Sequence, residues 1–82
     1  MAVKVIELTE EAFKGCRDKP HYKFMVEVAE AEKGDIIEVV GEDVILSLDT
    51  VISVLEDEGF EYEILERDDL LGTYRLKAVK TR

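Results

Sequence analysis

The sequence predicts an α+β two-layer sandwich, a four-stranded mixed sheet with two helices on one face, in the order β-α-β-α-β-β. Three observations carry this expectation. Short β-branched or alternating segments recur at 3–8, 35–40, 60–66 and 73–79. Between them, 21–33 and 47–58 space their apolar residues as helices do, and each run stops at a glycine, Gly34 or Gly59. A sheet and a pair of amphipathic helices each have one apolar side, so they bury it against each other. Eighty-two residues give one domain, 1–82.

The elements follow in order. VKVIEL is short and β-branched and reads as the first strand. Residues 9–19 are polar and read as a loop, with a helical turn at TEEAFK that Thr9 can cap. Pro20 suits a first helical turn, where a missing N–H costs nothing, and Asp18 is the expected N-cap. In the helix that follows, Lys23, Glu27 and Glu30 form the polar stripe. Met25, Val28 and Ala29 face the other way, flanked by Tyr22, Phe24 and Val26. DIIEVV, apolar on both faces apart from Glu38, suits a central strand covered by helices, broken by Gly41, Glu42 and Asp43. Leu48, Val51, Ile52 and Leu55 hold helical spacing, so 44–48 leads as a loop into a helix over 47–58; a hairpin at 44–48 is the alternative. FEYEILE and TYRLKAV alternate and join through RDDLLG as an antiparallel hairpin. Glu61 and Glu63 are expected opposite Lys77 and Arg75. Tyr22, Phe24, Met25, Phe60, Tyr62 and Tyr74 are expected in the core.

Composition narrows the function. A net charge of −9 disfavours direct nucleic-acid binding, which needs a basic surface, unless a local patch or a partner brings the RNA. The N-terminal stretch lacks a signal-peptide pattern and no apolar run approaches a membrane span, so a soluble, cytoplasmic protein is expected. With one cysteine there is no internal disulfide, and no Cys/His cluster suggests a structural metal. Packing and surface charge must hold the fold, with weak homo-oligomerisation as an added support. The chain has no Asn and no Gln and is rich in Glu and Lys, a composition associated with thermophiles. The acids at 56–58 and 68–69 match no calcium loop and read as solvated.

One stretch departs from this acidic background. KGCRDKPHYK, residues 14–23, holds the only cysteine, proline and histidine, and four of the eleven Lys and Arg. A free thiol has a pKa of about 8.5, which nearby cations or a helix N-terminus lower. Lys14, Arg17, Lys19, His21 and Lys23 surround Cys16 in sequence against a single acid, Asp18. Gly15 removes a side chain beside the sulfur, and Pro20 opens the helix. The plain alternative is that Cys16 is a small hydrophobe and the cations balance an acidic body. His21 reads first as a solvated or helix-capping residue, with proton transfer as its other role.

The element order, with a cysteine between the first strand and the first long helix, resembles the TusA/SirA-like sulfur-carrier family. KGD before the second strand is similar to that family's Pro-Gly-Glu/Asp turn. Glu42 and Asp43, with Asp49 opening a helix, are similar to its Asp-Pro…Asp-Ile stretch, and EGFEYEILE to its Gly-His-Glu helix end and third strand. The likeness spans nearly the whole chain and rests on order and spacing. The family's Cys-Pro-x-Pro appears here as CRDKP: Cys16 matches the cysteine, Pro20 matches the second proline after one inserted residue, and Arg17 stands for the first proline. Val44 replaces the proline after Asp43. The resemblance implies a sulfurtransferase-like carrier that holds sulfane sulfur as a persulfide on Cys16. It would pass that sulfur from a donor protein to an acceptor protein without metal or organic cofactor. The loss of the first proline fits an alternative, a non-catalytic regulatory or binding module that docks an acidic partner through the basic loop.

Overall fold

The computed structural model describes residues 3–13 and 19–82. The chain runs β1 (Val3–Leu8), α1 (Glu10–Phe13), α2 (Pro20–Ala29), β2 (Ile36–Glu42), α3 (Leu48–Asp57), β3 (Phe60–Asp68) and β4 (Thr73–Lys80). The four strands form one mixed sheet in the order β1-β2-β4-β3. β1 and β2 are parallel, and β4 is antiparallel to both β2 and β3. This is a small α+β domain of the two-layer kind, with a single-turn α1 besides the two longer helices.

Alternation decides which face is covered. Ile6, Leu8, Ile37, Val39, Tyr74, Leu76 and Ala78 point to one side of the sheet and are buried there with Phe24 and Val28 of α2 and Val51 and Leu55 of α3. The other face carries Val3, Val5, Ile36, Glu38, Arg75 and Lys77, and none of these is buried. The apolar outer residues of β2 therefore reflect its central place in the sheet. They do not mark a second helical layer.

Several boundaries and faces differ from those expected. The second strand does not break at Gly41 but continues through Glu42, because the side chain that glycine lacks leaves room for the ring of Tyr74 on β4. α2 stops at Ala29 and not near Lys33. Ala31 N–H donates to Val28 O at 3.2 Å, and Asp35 Oδ2 accepts from Glu32 N–H at 2.9 Å, so a turn takes over before Gly34. On this short helix only the Phe24–Val28 ridge reaches the core. Tyr22, Met25 and Ala29 are exposed, as is Tyr62 on the edge strand β3, so these leave the expected core. The hairpin register is also shifted. Glu63 faces Lys77, one of the expected cations, but Glu61 faces Val79 and Arg75 faces Glu66; β3 also bulges between Ile64 and Glu66, which changes the register along the hairpin by one residue. Arg75 and Glu66 form an ion pair at 3.1 Å.

Residues 44–47 are a loop and turn leading into α3, which begins at Leu48, without hairpin pairing. Ser47 caps α3 by accepting from Thr50 N–H. Gly59 ends α3's run at φ 83°, a conformation that glycine adopts without strain, and its carbonyl accepts from Thr81 N–H at 2.9 Å. That bond ties the end of β4 to the start of β3.

Candidate functional site

β1, β2 and β3 run in the same direction, so their C-terminal ends lie along one edge of the sheet. The segments that leave them, 9–13, 43–47 and 69–72, are therefore brought to one end of the molecule. The cysteine-bearing stretch follows the first of these in the chain. Lys14, Gly15, Cys16, Arg17 and the expected N-cap Asp18 lie outside the described residues.

The residues that flank this stretch are placed. Before it, Thr9 Oγ1 accepts from Ala12 N–H at 3.2 Å, the cap expected for the turn that becomes α1. After it, Lys19 is the N-cap residue of α2, in extended conformation, and Pro20 occupies the first turn. Lys19 makes no side-chain capping bond, and no acid stands in the first turn of the helix. Among the described residues no side chain caps this helix start, whose N–H groups carry a partial positive charge.

The predicted cations divide into two places. Lys19 and Lys23 line a shallow groove of about 230 Å³ with Tyr22, Val26 and Glu27. Lys23 Nζ also sits 5.4 Å from the centre of the Phe13 ring, which links the two ends of the cysteine-bearing connection. His21 turns away from them into a crevice of about 480 Å³ between α2 and α3, with Met25, Asp49, Thr50 and Asp57. It is exposed and does not join the lysine groove. Among the described residues no carboxylate forms an ion pair with Lys19, His21 or Lys23.

Sequence reasoning missed a second cluster at the same end. Arg67 Nη2 donates to Asp43 Oδ2 at 2.8 Å and its Nε donates to Asp69 Oδ1 at 2.9 Å. Asp43 Oδ1 accepts from Leu48 N–H, and Asp43 N–H donates to Gly72 O at 2.8 Å. One aspartate thus ties the loop after β2 to the start of α3 and to the β3–β4 turn. Asp68 Oδ1 accepts from the N–H groups of Leu70 and Leu71. Asp68 and Asp69 are exposed, as expected of a solvated face, and Asp68 also forms the turn. The hydrogen bond from Arg67 holds the Asp43 carboxyl below the usual carboxylate range; the Leu48 N–H adds to this and burial opposes it.

A lowered carboxylate pKa gives the sign of a pH effect. The Asp43 contribution to stability is fully present above its unfolded value of 3.8 and is lost as pH falls through the lower folded value. Asp43→Ala is expected to destabilise the fold by about 1–2 kcal/mol, the cost typical of removing a capping side chain. Urea titration at pH 7 measures that cost. The deficit relative to the unmodified chain should shrink as the pH is lowered below 3.8. A deficit that stays constant down to pH 2 would show that the carboxylate charge is not what holds the loops.

Comparisons with protein-family models, with curated proteins and with solved structures give no significant match for this chain.

Proposed function

We propose that the protein is a small sulfur carrier that accepts sulfane sulfur on Cys16 and hands it to a partner protein. The observation that supports this most is the start of α2, which no described side chain caps. Lys19 and Lys23 stand beside it with no described carboxylate paired to them, in a chain with twenty acids. Cations and helix N–H groups are what keep a thiol ionised and stabilise the anionic persulfide. The two-layer architecture and the order of its elements are compatible with the fold that the resemblance implies.

The chemistry needs no oxidant. The Cys16 thiolate attacks the terminal sulfur of a donor persulfide. A new S–S bond forms on Cys16, the donor S–S bond breaks, and the donor leaves as a thiolate. The sulfane sulfur keeps its oxidation state, and an acceptor thiolate repeats the exchange in the second half. This chain's part is to keep Cys16 ionised and to present it.

Intact-mass analysis after treatment with glutathione persulfide is expected to show a gain of about 32 Da, one sulfur atom, removable by dithiothreitol and absent in Cys16→Ser. Iodoacetamide should alkylate Cys16 at pH 7 about tenfold faster than it alkylates glutathione, corresponding to roughly one unit of lowered thiol pKa. A chain that gains no sulfur and reacts at the rate of an ordinary thiol would rule out the carrier.

A second reading draws on the groove of Lys19, Tyr22, Lys23 and Val26, which combines cations with exposed apolar surface. Such a surface suits docking of an acidic partner without any sulfur chemistry. Cys16→Ser would then leave binding unchanged.

A further inference from the structure

The two edges of the sheet are built differently. β3 carries Glu61, Glu63, Glu66, Arg67 and Asp68 and a bulge between Ile64 and Glu66. Charges and bulges are the devices that stop a sheet edge from pairing with another chain. β1 has neither a proline nor a register break against β2. Its open-face residues Val3 and Val5 are 65% and 57% exposed. A groove of about 470 Å³ follows its residues 4–8, walled by Phe13, Lys23 and Glu27. Among the described residues no backbone hydrogen bond joins β1 to anything but β2.

We propose that β1 pairs antiparallel with β1 of a second copy of this chain, joining two four-stranded sheets into one of eight strands. Charge selects the occupant. Two copies with a net charge of −9 repel wherever their acidic surfaces meet. The β1 edge is nearer to charge balance than the β3 edge: Lys4 pairs with Glu27 at 2.6 Å, Lys23 stands beside them, and VKVIEL itself has one lysine and one glutamate. Pairing there sends the two acidic β3 edges to opposite ends of the joined sheet. At about 4.8 Å per strand over seven spacings they lie roughly 34 Å apart. Screening at physiological salt acts over about 8 Å, so the acidic edges cease to oppose association.

The register follows from the same rule. With both helical layers on one side, opposed residues must share a face, so their numbers sum to an even value. A sum of ten sets Val5 on Val5 across the two-fold axis, Lys4 on Ile6 and Val3 on Glu7. A sum of eight would set Lys4 on Lys4, which is repulsive, and a sum of twelve would keep a valine against Glu7 while losing the Val5–Val5 contact.

Sedimentation equilibrium tests the pairing, and it is independent of any chemistry at Cys16. The unmodified chain is expected at twice its 9.3 kDa mass. Val5→Lys, a change at an exposed position, is expected to give the monomer at the same concentration with an unchanged circular dichroism spectrum. In a Cys16→Ser background, Val5→Cys should form a disulfide-linked dimer at least about tenfold faster than Val44→Cys, because opposed residues across an antiparallel pair fall within disulfide reach. Val44, 83% exposed on a loop, controls for accessibility. A monomeric unmodified chain overturns the proposal, as does a dimer indifferent to Val5→Lys. Equal cross-linking at Val5 and Val44 overturns it as well.

Discussion

Gly41→Ala is expected to cost about 3 kcal/mol or more, at the upper end of what overpacking a core incurs. A methyl group at Gly41 would overlap the ring and hydroxyl of Tyr74. A surface tyrosine would swing aside, but this one is only 2% exposed and its hydroxyl donates to Leu46 O at 2.5 Å. Burial raises the pKa of that phenol, so the donor stays protonated at physiological pH and the bond persists. For a chain of this size the whole stability is on the order of 4–12 kcal/mol. A loss of 3 kcal/mol therefore removes a large fraction of it and lowers Tm by roughly 12–24 °C. Thermal and urea melts measure the loss. Truncating the ring in Gly41→Ala/Tyr74→Leu should cost less than the two single changes summed, because the clash and the missing ring compensate. A Gly41→Ala melt within a few degrees of the unmodified chain would mean that the Tyr74 ring is not fixed in place.

The same contact explains part of what the sequence hid. Between a strand and charged residues, a glycine reads as a break. Here it is the close-approach point of two neighbouring strands, and nothing local in 41–43 reveals that Tyr74 needs the space. By contrast, the alternation of 60–66 and 73–79 and the helical spacing of 48–55 are local patterns, and both became the expected elements. The α2 face was misjudged because period alone does not say how wide a stripe gets buried. A ten-residue helix over a small sheet buries one ridge, Phe24 and Val28, and leaves Tyr22 and Met25 in water.

The site divides along the same line. Clustering of the rare cysteine, proline and histidine with cations is visible in ten consecutive residues. The Asp43–Arg67 bond joins residues 24 apart, and the bulge in β3 that re-aims the end of that strand has no sequence mark of its own. The direction of His21 depends on how α2 packs beside α3, a tertiary fact that separates it from Lys19 and Lys23.

Lys19→Glu combined with Lys23→Glu is expected to slow alkylation of Cys16 about tenfold at pH 7, as the thiol pKa rises toward its ordinary value of about 8.5. Both side chains are exposed, so the fold should tolerate the change. The surface tolerates it for a further reason: among the described residues neither lysine holds an ion pair that reversal would break. The rate is best followed as a pH profile, because a loss of ionisation moves the midpoint upward, whereas a steric effect lowers the plateau alone. Salt gives a second signature. Raising ionic strength should slow the unmodified chain and leave the reversed chain nearly unaffected, since long-range charge interactions are screened. The profile also separates the two functional readings. If Cys16 carries sulfur, the reversed chain loads persulfide slowly and its midpoint shifts. If the groove only docks an acidic partner, reversal abolishes that binding while the thiol profile stays where it was. An unchanged midpoint therefore removes Lys19 and Lys23 from the sulfur chemistry and leaves them as a docking surface.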